Sequence, residues 1–247
     1  MSAIALDNLA LSLGGRPVLR GVSLRVNPGE ATFVIGPSGA GKSVLARCAV
    51  GLQSPDAGTV KLFGEDLAKA TPRALSALRR RCPMVLQGSA LLDDHSLVDN
   101  VALALRFAGI RRRGRRERAL ALLERVGLAD QAELTPPEVG PGVAMRAAVA
   151  RALALEPELI VFDEPTSGLD PAAARQLDRL LAETARAAGA LVISHDPESI
   201  FAVADRIAVL NAGRVVAEGT PREIRESADP VVRQLVEGRA DGPIPEW

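Results

Sequence analysis

Apolar residues along this chain fall into two alternating patterns: short unbroken runs, and stretches where they recur every three or four positions. Residues 4 to 35 read as short strands broken by turns. Within them Val22, Leu24 and Val26 alternate with polar neighbours, as a half-buried strand requires. Asn27-Pro28-Gly29 turns the chain, and Ala31 to Ile35 reads as a buried strand. A Gly-rich loop follows, then a helix from about Gly41 to Val50. Ser54 to Gly58 is a turn ahead of a strand over Thr59 to Phe63.

From Ala90 to Glu138 the period becomes that of amphipathic helix, with Val98, Val101, Leu105, Leu120, Leu123 and Val126 on the apolar face. Beyond Val139 strand and helix alternate. Leu159 to Phe162 and Leu191 to Ser194 are strands, separated by a helix over Pro171 to Ala188. A helix near Ile200 precedes a hairpin of Ile207 to Leu210 and Val215 to Ala217, turned at Asn211-Ala212-Gly213. Continuous apolar strands separated by helices predict an α/β fold whose parallel sheet is covered on both faces.

Composition narrows the function. The 247 residues are 47% hydrophobic, enough for one large α/β domain or two small ones. Aromatics make up 2% and there is no Tyr, which argues against a surface on which bases of single-stranded nucleic acid stack. Lys+Arg and Asp+Glu are equal at 30 each, so no net field draws the chain to nucleic acid or anionic lipid. The basic run Arg111 to Arg118 is read as the solvated end of a helix. Cys48 and Cys82 lack metal-site spacing, and a reducing compartment is expected. The first residues lack a signal peptide's charged and apolar regions, and no apolar run reaches the ~18 residues of a membrane span. Any pore would belong to another chain.

The strongest chemical signal is Gly36-Pro37-Ser38-Gly39-Ala40-Gly41-Lys42-Ser43, followed by Val44. It fits G-x-x-x-x-G-K-[ST], after a strand and opening a helix. Such a loop lets successive N–H groups converge on phosphates, and the helix N-terminus adds its positive dipole. Lys42 supplies a point charge to the outer phosphates and Ser43 an oxygen for Mg²⁺. Asp163 and Glu164 end an apolar strand, where ligands bind in open α/β sheets. There Asp163 would serve Mg²⁺ and Glu164 would accept a proton from attacking water. His195 ends the next apolar strand and would reach the γ-phosphate, whereas His95 carries no such expectation.

In order and spacing these motifs resemble the ATPase domain of ABC transporters. The resemblance rests on the phosphate loop, Val85-Leu86-Gln87, Asp163-Glu164-Pro165, Ser167-Gly168-Leu169-Asp170 and Ser194-His195-Asp196, and covers nearly the whole chain. It implies a P-loop core of RecA-like α/β type with an antiparallel β subdomain and an inserted helical subdomain at 88–139. One nucleotide-binding domain would then span 1–228, with a tail at 229–247 as a candidate dimer contact. ATP and Mg²⁺ are the implied cofactors, with Ser43, Gln87 and Asp163 at the metal. Gln87 would couple the site to a membrane permease, Glu164 would be the catalytic base, His195 the switch histidine and Asp170 part of the D-loop. The partner in the dimer would be a second copy or a related ATPase, and the implied location is cytoplasmic, on the inner face of the inner membrane.

Met84 to Asp94, and the tail from Asp229 through Pro245, look more specifically like the ATPase of Mla-type (maintenance of lipid asymmetry) phospholipid transporters. That likeness implies a permease, a lipid-binding ring subunit and a small STAS-domain protein as partners, and no nucleic acid.

Two positions depart from the family pattern. Its LSGGQ signature, which faces ATP in the opposite subunit, here reads Val139-Gly140-Pro141-Gly142-Val143. A hydroxyl and one N–H donor are missing, leaving Gly140 and Gly142 as the candidate contacts. At the position of the adenine-stacking aromatic the chain offers only Leu13. A slow or regulatory nucleotide-binding subunit, or one half of a heterodimer, therefore stands beside the efficient transport ATPase as an alternative.

Overall fold

The computed structural model describes residues 2–239 and 241–244. In chain order the strands are β1 (Ile4–Leu13), β2 (Arg16–Val26), β3 (Ala31–Ile35), β4 (Ala57–Leu62), β5 (Glu65–Asp66) and β6 (Met84–Val85). They continue as β7 (Ile160–Asp163), β8 (Ala190–Ile193), β9 (Arg206–Asn211) and β10 (Arg214–Gly219). The helices are α1 (Lys42–Ala49), α2 (Pro72–Arg81), α3 (Leu97–Phe107), α4 (Arg115–Arg125) and α5 (Pro141–Leu153). After them come α6 (Pro171–Ala188), α7 (Pro197–Val203), α8 (Pro221–Arg225) and α9 (Pro230–Glu237).

The strands form two sheets. The smaller is antiparallel in the order β2-β1-β4-β5. Its register pairs Ile4 with Val26, Leu6 with Leu24 and Leu9 with Val22, so the alternation in β2 meets a matching set in β1 on one buried face. The larger sheet runs β10-β9-β3-β8-β7-β6, parallel except for β10, which joins β9 through the predicted hairpin.

Alternate residues of the parallel strands enter different cores. Val34, Val161, Leu191 and Ile193 pack with α1 and the antiparallel sheet. Phe33, Ile35, Ile160, Phe162 and Val192 pack with α5, α6, α7, α8 and α9. Both faces are covered, which is why these strands read as unbroken apolar runs. The register also aligns the ends of β3, β7 and β8: Val34 pairs with Ile193, and Ile193 with Asp163. All the candidate nucleotide residues at strand ends thus lie on one rim. Among the described residues no helix is long and apolar enough to cross a membrane.

Three local expectations shift. β4 begins at Ala57, inside the predicted turn, because Ala57 already pairs with Ala10. The long amphipathic stretch breaks at Gly109 and Gly114 into α3 and α4, and in α4 the buried stripe is Ala119, Leu123 and Val126. Leu120, placed inside from the sequence, lies one position off that stripe and is 36% exposed. Finally, α3 and α4 share their core with Ala147, Ala150 and Ala154, so the helical layer packs across residue 139 into α5. Both thiols are free and buried, and burial pushes Cys48 up to about 11.

The basic run also has a defined place. Arg111, Arg112 and Arg113 precede α4, Gly114 is its N-cap, and Arg115, Arg116 and Arg118 open it, where positive charge opposes the helix dipole. Arg116 offsets this by pairing with Glu133 and Asp99.

Candidate nucleotide site

The phosphate loop leaves β3 at Gly36, where a Cβ would overlap the Leu210 carbonyl of β9. Only glycine lets the loop start this close to the sheet. The loop ends at Gly41, the N-cap of α1, without a side-chain cap. The first N–H groups of α1 are therefore open to an anion. Val44 turns its side chain to the core, which leaves only its backbone free to meet a ligand.

Lys42 is 8% exposed, and its ammonium donates to the carbonyls of Gly36 at 2.8 Å and Pro37 at 3.1 Å. The Glu164 carboxylate lies 3.9 Å away. Burial lowers the lysine's pKa, while the charges of Glu164 and then Asp163 oppose that shift. An arriving triphosphate would add negative charge beside a cation so far held mainly by neutral carbonyls.

Ser43 Oγ donates to Asp163 Oδ1 at 2.7 Å, bringing oxygens from the start of α1 and the end of β7 to one point. Asp163 is buried, so this carboxylate is held where bulk water cannot solvate it. The donor set suits Mg²⁺: a hydroxyl and a carboxylate, both hard oxygen ligands, beside a phosphate-binding loop. Mg²⁺ in such sites takes one or two protein oxygens plus substrate phosphates. Gln87, the other residue expected at the metal, has its amide turned to Ser167 Oγ at 3.4 Å.

Glu164 follows Asp163 with φ of 51°, a left-handed backbone that a glutamate adopts at a cost of ~1–3 kcal/mol. Its N–H is bonded to the Ile193 carbonyl at 3.0 Å, which ties this turn to the end of β8. The carboxylate is 13% exposed and meets His195 Nδ1 at 2.6 Å, with the imidazole 59% exposed. A carboxylate, an imidazole and an ammonium therefore converge beside the loop.

Farther out, the structure separates the remaining candidates. Asp170 caps α6 by accepting from the N–H groups of Ala172 at 2.9 Å and Ala173 at 3.0 Å, which lowers its pKa. Gly140 is the N-cap of α5 without a side-chain cap, and Pro141 and Gly142 are its first residues. The Val143 N–H donates to the Gly140 carbonyl at 3.0 Å. Since Pro141 has no N–H, Gly142 alone keeps a first-turn donor that the helix does not engage. A Cβ on Gly142 would lie 2.8 Å from that of Ala173, so glycine also permits the close approach of α5 to α6. Leu13 sits at the tip of the β1–β2 hairpin, 44% exposed.

Two positioning residues escape a motif reading. Arg151, in α5, donates to the carbonyls of Ala90 at 2.8 Å and Ser89 at 3.1 Å, pinning the loop after Gln87. Burial lowers its pKa, and the dipoles of these carbonyls partly compensate the charge. Fully buried Asn100 accepts from the Leu92 N–H and donates to the Leu92, His95 and Ser96 carbonyls. An arginine or asparagine among otherwise apolar helix positions was the available signal.

Comparison with known proteins decides the family. The ABC transporter family model matches residues 19–167. The intermembrane phospholipid transport system ATP-binding protein MlaF of Escherichia coli K12 is 37% identical over 245 residues, 98% of this chain and 91% of that protein. This chain belongs to the ABC transporter family.

Within that family, the methionine import ATP-binding protein MetN of Rhizobium etli is 43% identical over 218 residues, 87% of this chain. The chain spans only 60% of MetN's length. The dimeric ATP-binding cassette MJ0796, in a post-hydrolysis state bound to ADP and Pi, superposes with a TM-score of 0.80 at 28% identity. That match covers 88% of this chain and 98% of MJ0796. The two sheets and helical layer described above are thus the ABC cassette, and the activity class is ATP hydrolysis by the ATP-binding subunit of a transporter. Lipid specificity does not follow from family membership, since MlaF and MetN are both near relatives.

Proposed function

We propose that this chain is the ATPase of a phospholipid transporter working between the membranes of a cell envelope, docked on the inner face of the inner membrane. The observation that carries this reading is the extent of the MlaF likeness, 98% of the chain against 87% for MetN. At 245 residues the MlaF match necessarily takes in α9 with its Asp229 cap. A permease, a lipid-binding ring subunit and a STAS-domain protein are the proposed partners. The competing reading, amino-acid import, has the higher local identity to MetN in its favour.

The test uses the complex copurified with its own permease and reconstituted in vesicles carrying a fluorescent phospholipid. ATP-dependent movement of the phospholipid is expected. ATP-dependent uptake of methionine, with the lipid left in place, would overturn the lipid reading.

In the proposed reaction, loop N–H groups and Lys42 bind and orient the phosphates. The Ser43 hydroxyl and Asp163, with Gln87 once released from Ser167, would hold Mg²⁺, whose charge offsets that of the transferring phosphoryl group. Glu164 takes the proton of the attacking water, and His195 holds the carboxylate's orientation at 2.6 Å while facing the γ-phosphate position. From the opposite chain, the α5 N-terminus closes the site through the Gly142 N–H and the helix dipole.

With Gly140 and Pro141 in place of serine and glycine, that contact lacks a hydroxyl and an N–H. Each lost hydrogen bond to a charged group is worth ~1.5–3 kcal/mol, or roughly ten- to a hundredfold in rate if it acts only in the transition state. Gly140→Ser with Pro141→Gly is therefore expected to raise turnover at saturating MgATP, within that bound and without additivity. A repaired homodimer no faster than the original would remove the signature as the rate-limiting defect. A gain in the homodimer that is absent in the native complex would instead identify a different ATPase as the partner.

A further inference from the structure

The C-terminal helix reaches the nucleotide site from behind. α9 begins at a built cap, with Asp229 accepting from the N–H groups of Val231 and Val232. It lays Val232 and Leu235 into the core under the parallel sheet, and the chain then doubles back so that Ile244 joins them. Gln234 closes the return: its Oε1 accepts from the Ile244 N–H at 2.8 Å and its Nε2 donates to the Ile244 carbonyl at 3.1 Å. The glutamine is 1% exposed, so breaking this clasp strands buried polar groups at ~1–3 kcal/mol each. Gly242 lies against the same amide, and a Cβ there would overlap it.

Beyond the clasp, Leu235 and Val236 share with Gly36, His195, Ile200 and Phe201 a crevice of about 10 Å³. That is at the lower limit for admitting one water, so the gap between them is narrow. α7, which starts directly after His195 and is capped by Asp196, shares an apolar core with α9 through Ile200 and Leu235. Arg225 of α8 adds a guanidinium 4.1 Å from the centre of the Phe201 ring. The last segment of the chain therefore walls the crevice that the His195 loop also lines.

We propose that Gln234 is a positioning residue for ATP hydrolysis: by clasping Ile244 it seats α9 against α7 and holds His195 on Glu164. This rests on the reading of His195 as the γ-phosphate contact. It assigns the tail a role within its own chain, beside the dimer contact expected from the family resemblance.

The test is steady-state ATP hydrolysis by the full-length chain carrying Gln234→Leu or Gly242→Ala, which attack the clasp from opposite sides. Melting temperature confirms folding, and exposed Arg233→Ala on the same helix is the control. Small misplacement of a reacting group is costly, so each clasp variant should lose roughly tenfold in kcat while KM for MgATP moves less than about twofold. In a His195→Ala background the clasp variants should add no further loss, because they act through that side chain. Unchanged kcat in a folded clasp variant, or a loss that adds to that of His195→Ala, would overturn the assignment. His195→Ala with wild-type kcat would instead sink the underlying reading of the site.

Discussion

Replacing Lys42 with alanine is expected to weaken MgATP binding roughly a hundredfold or more, the equivalent of two charge-assisted hydrogen bonds at ~1.5–3 kcal/mol each. Lys42 is the one cation within the phosphate loop, and the loop's own carbonyls hold it in place at 2.8 and 3.1 Å. Removing it deletes the charge and leaves those carbonyls facing the phosphates. Calorimetry with MgATP is the check, and unchanged affinity would remove the loop from nucleotide binding. The same lysine sets a pH dependence. Burial lowers its pKa and bound phosphates favour its charged form, so affinity should fall as pH rises through the lowered value.

Glu164→Gln is expected to leave MgATP binding intact and to slow hydrolysis by ~10²–10⁴-fold, the usual worth of a general base. The amide keeps the side chain's volume and a partner for His195 but cannot take a proton from water. With chemistry blocked, an ATP-bound dimer should accumulate and be visible by gel filtration in MgATP. Near wild-type turnover would place the base elsewhere. The Lys42 change acts on binding and the Glu164 change on chemistry, so the two cannot be mimicked by a single loss of folding.

Much of this site was legible because its residues sit at the ends of apolar strands. Ile35, Asp163 and Ile193 close runs that a sheet covered on both faces makes continuous, and charge at such ends has no packing role. The parallel register then brings Gly36, Glu164 and His195 to one rim, as the alternation of strand and helix implied. The error at Leu120 has the opposite origin. Residues 119 and 120 are both apolar, and a helix's phase is set by the partner it packs on, here α3 and α5.

Other features were hidden for physical reasons. The positive φ of Glu164 accompanies its N–H bond to the Ile193 carbonyl, a contact between residues far apart in sequence. Arg151 gripping the Ser89 and Ala90 carbonyls likewise depends on tertiary placement. The tail also carries a helix signal in its sequence. Asp229-Pro230 is an N-cap followed by a first-turn proline, and Gly238 a left-handed C-cap, which together mark a helix. Its Pro245 lies outside the described residues.

The central claim is that this chain hydrolyses ATP to drive a transporter, and phosphate release from ATP by the purified wild-type chain tests it most directly. The rate should be measured alone and with the copurified permease, in Mg²⁺ and then in excess chelator. Saturable release that chelation stops, slow in the isolated chain and faster in the complex, is the predicted result. No release above that of the Glu164→Gln chain, at any protein concentration and with the permease present, would contradict it.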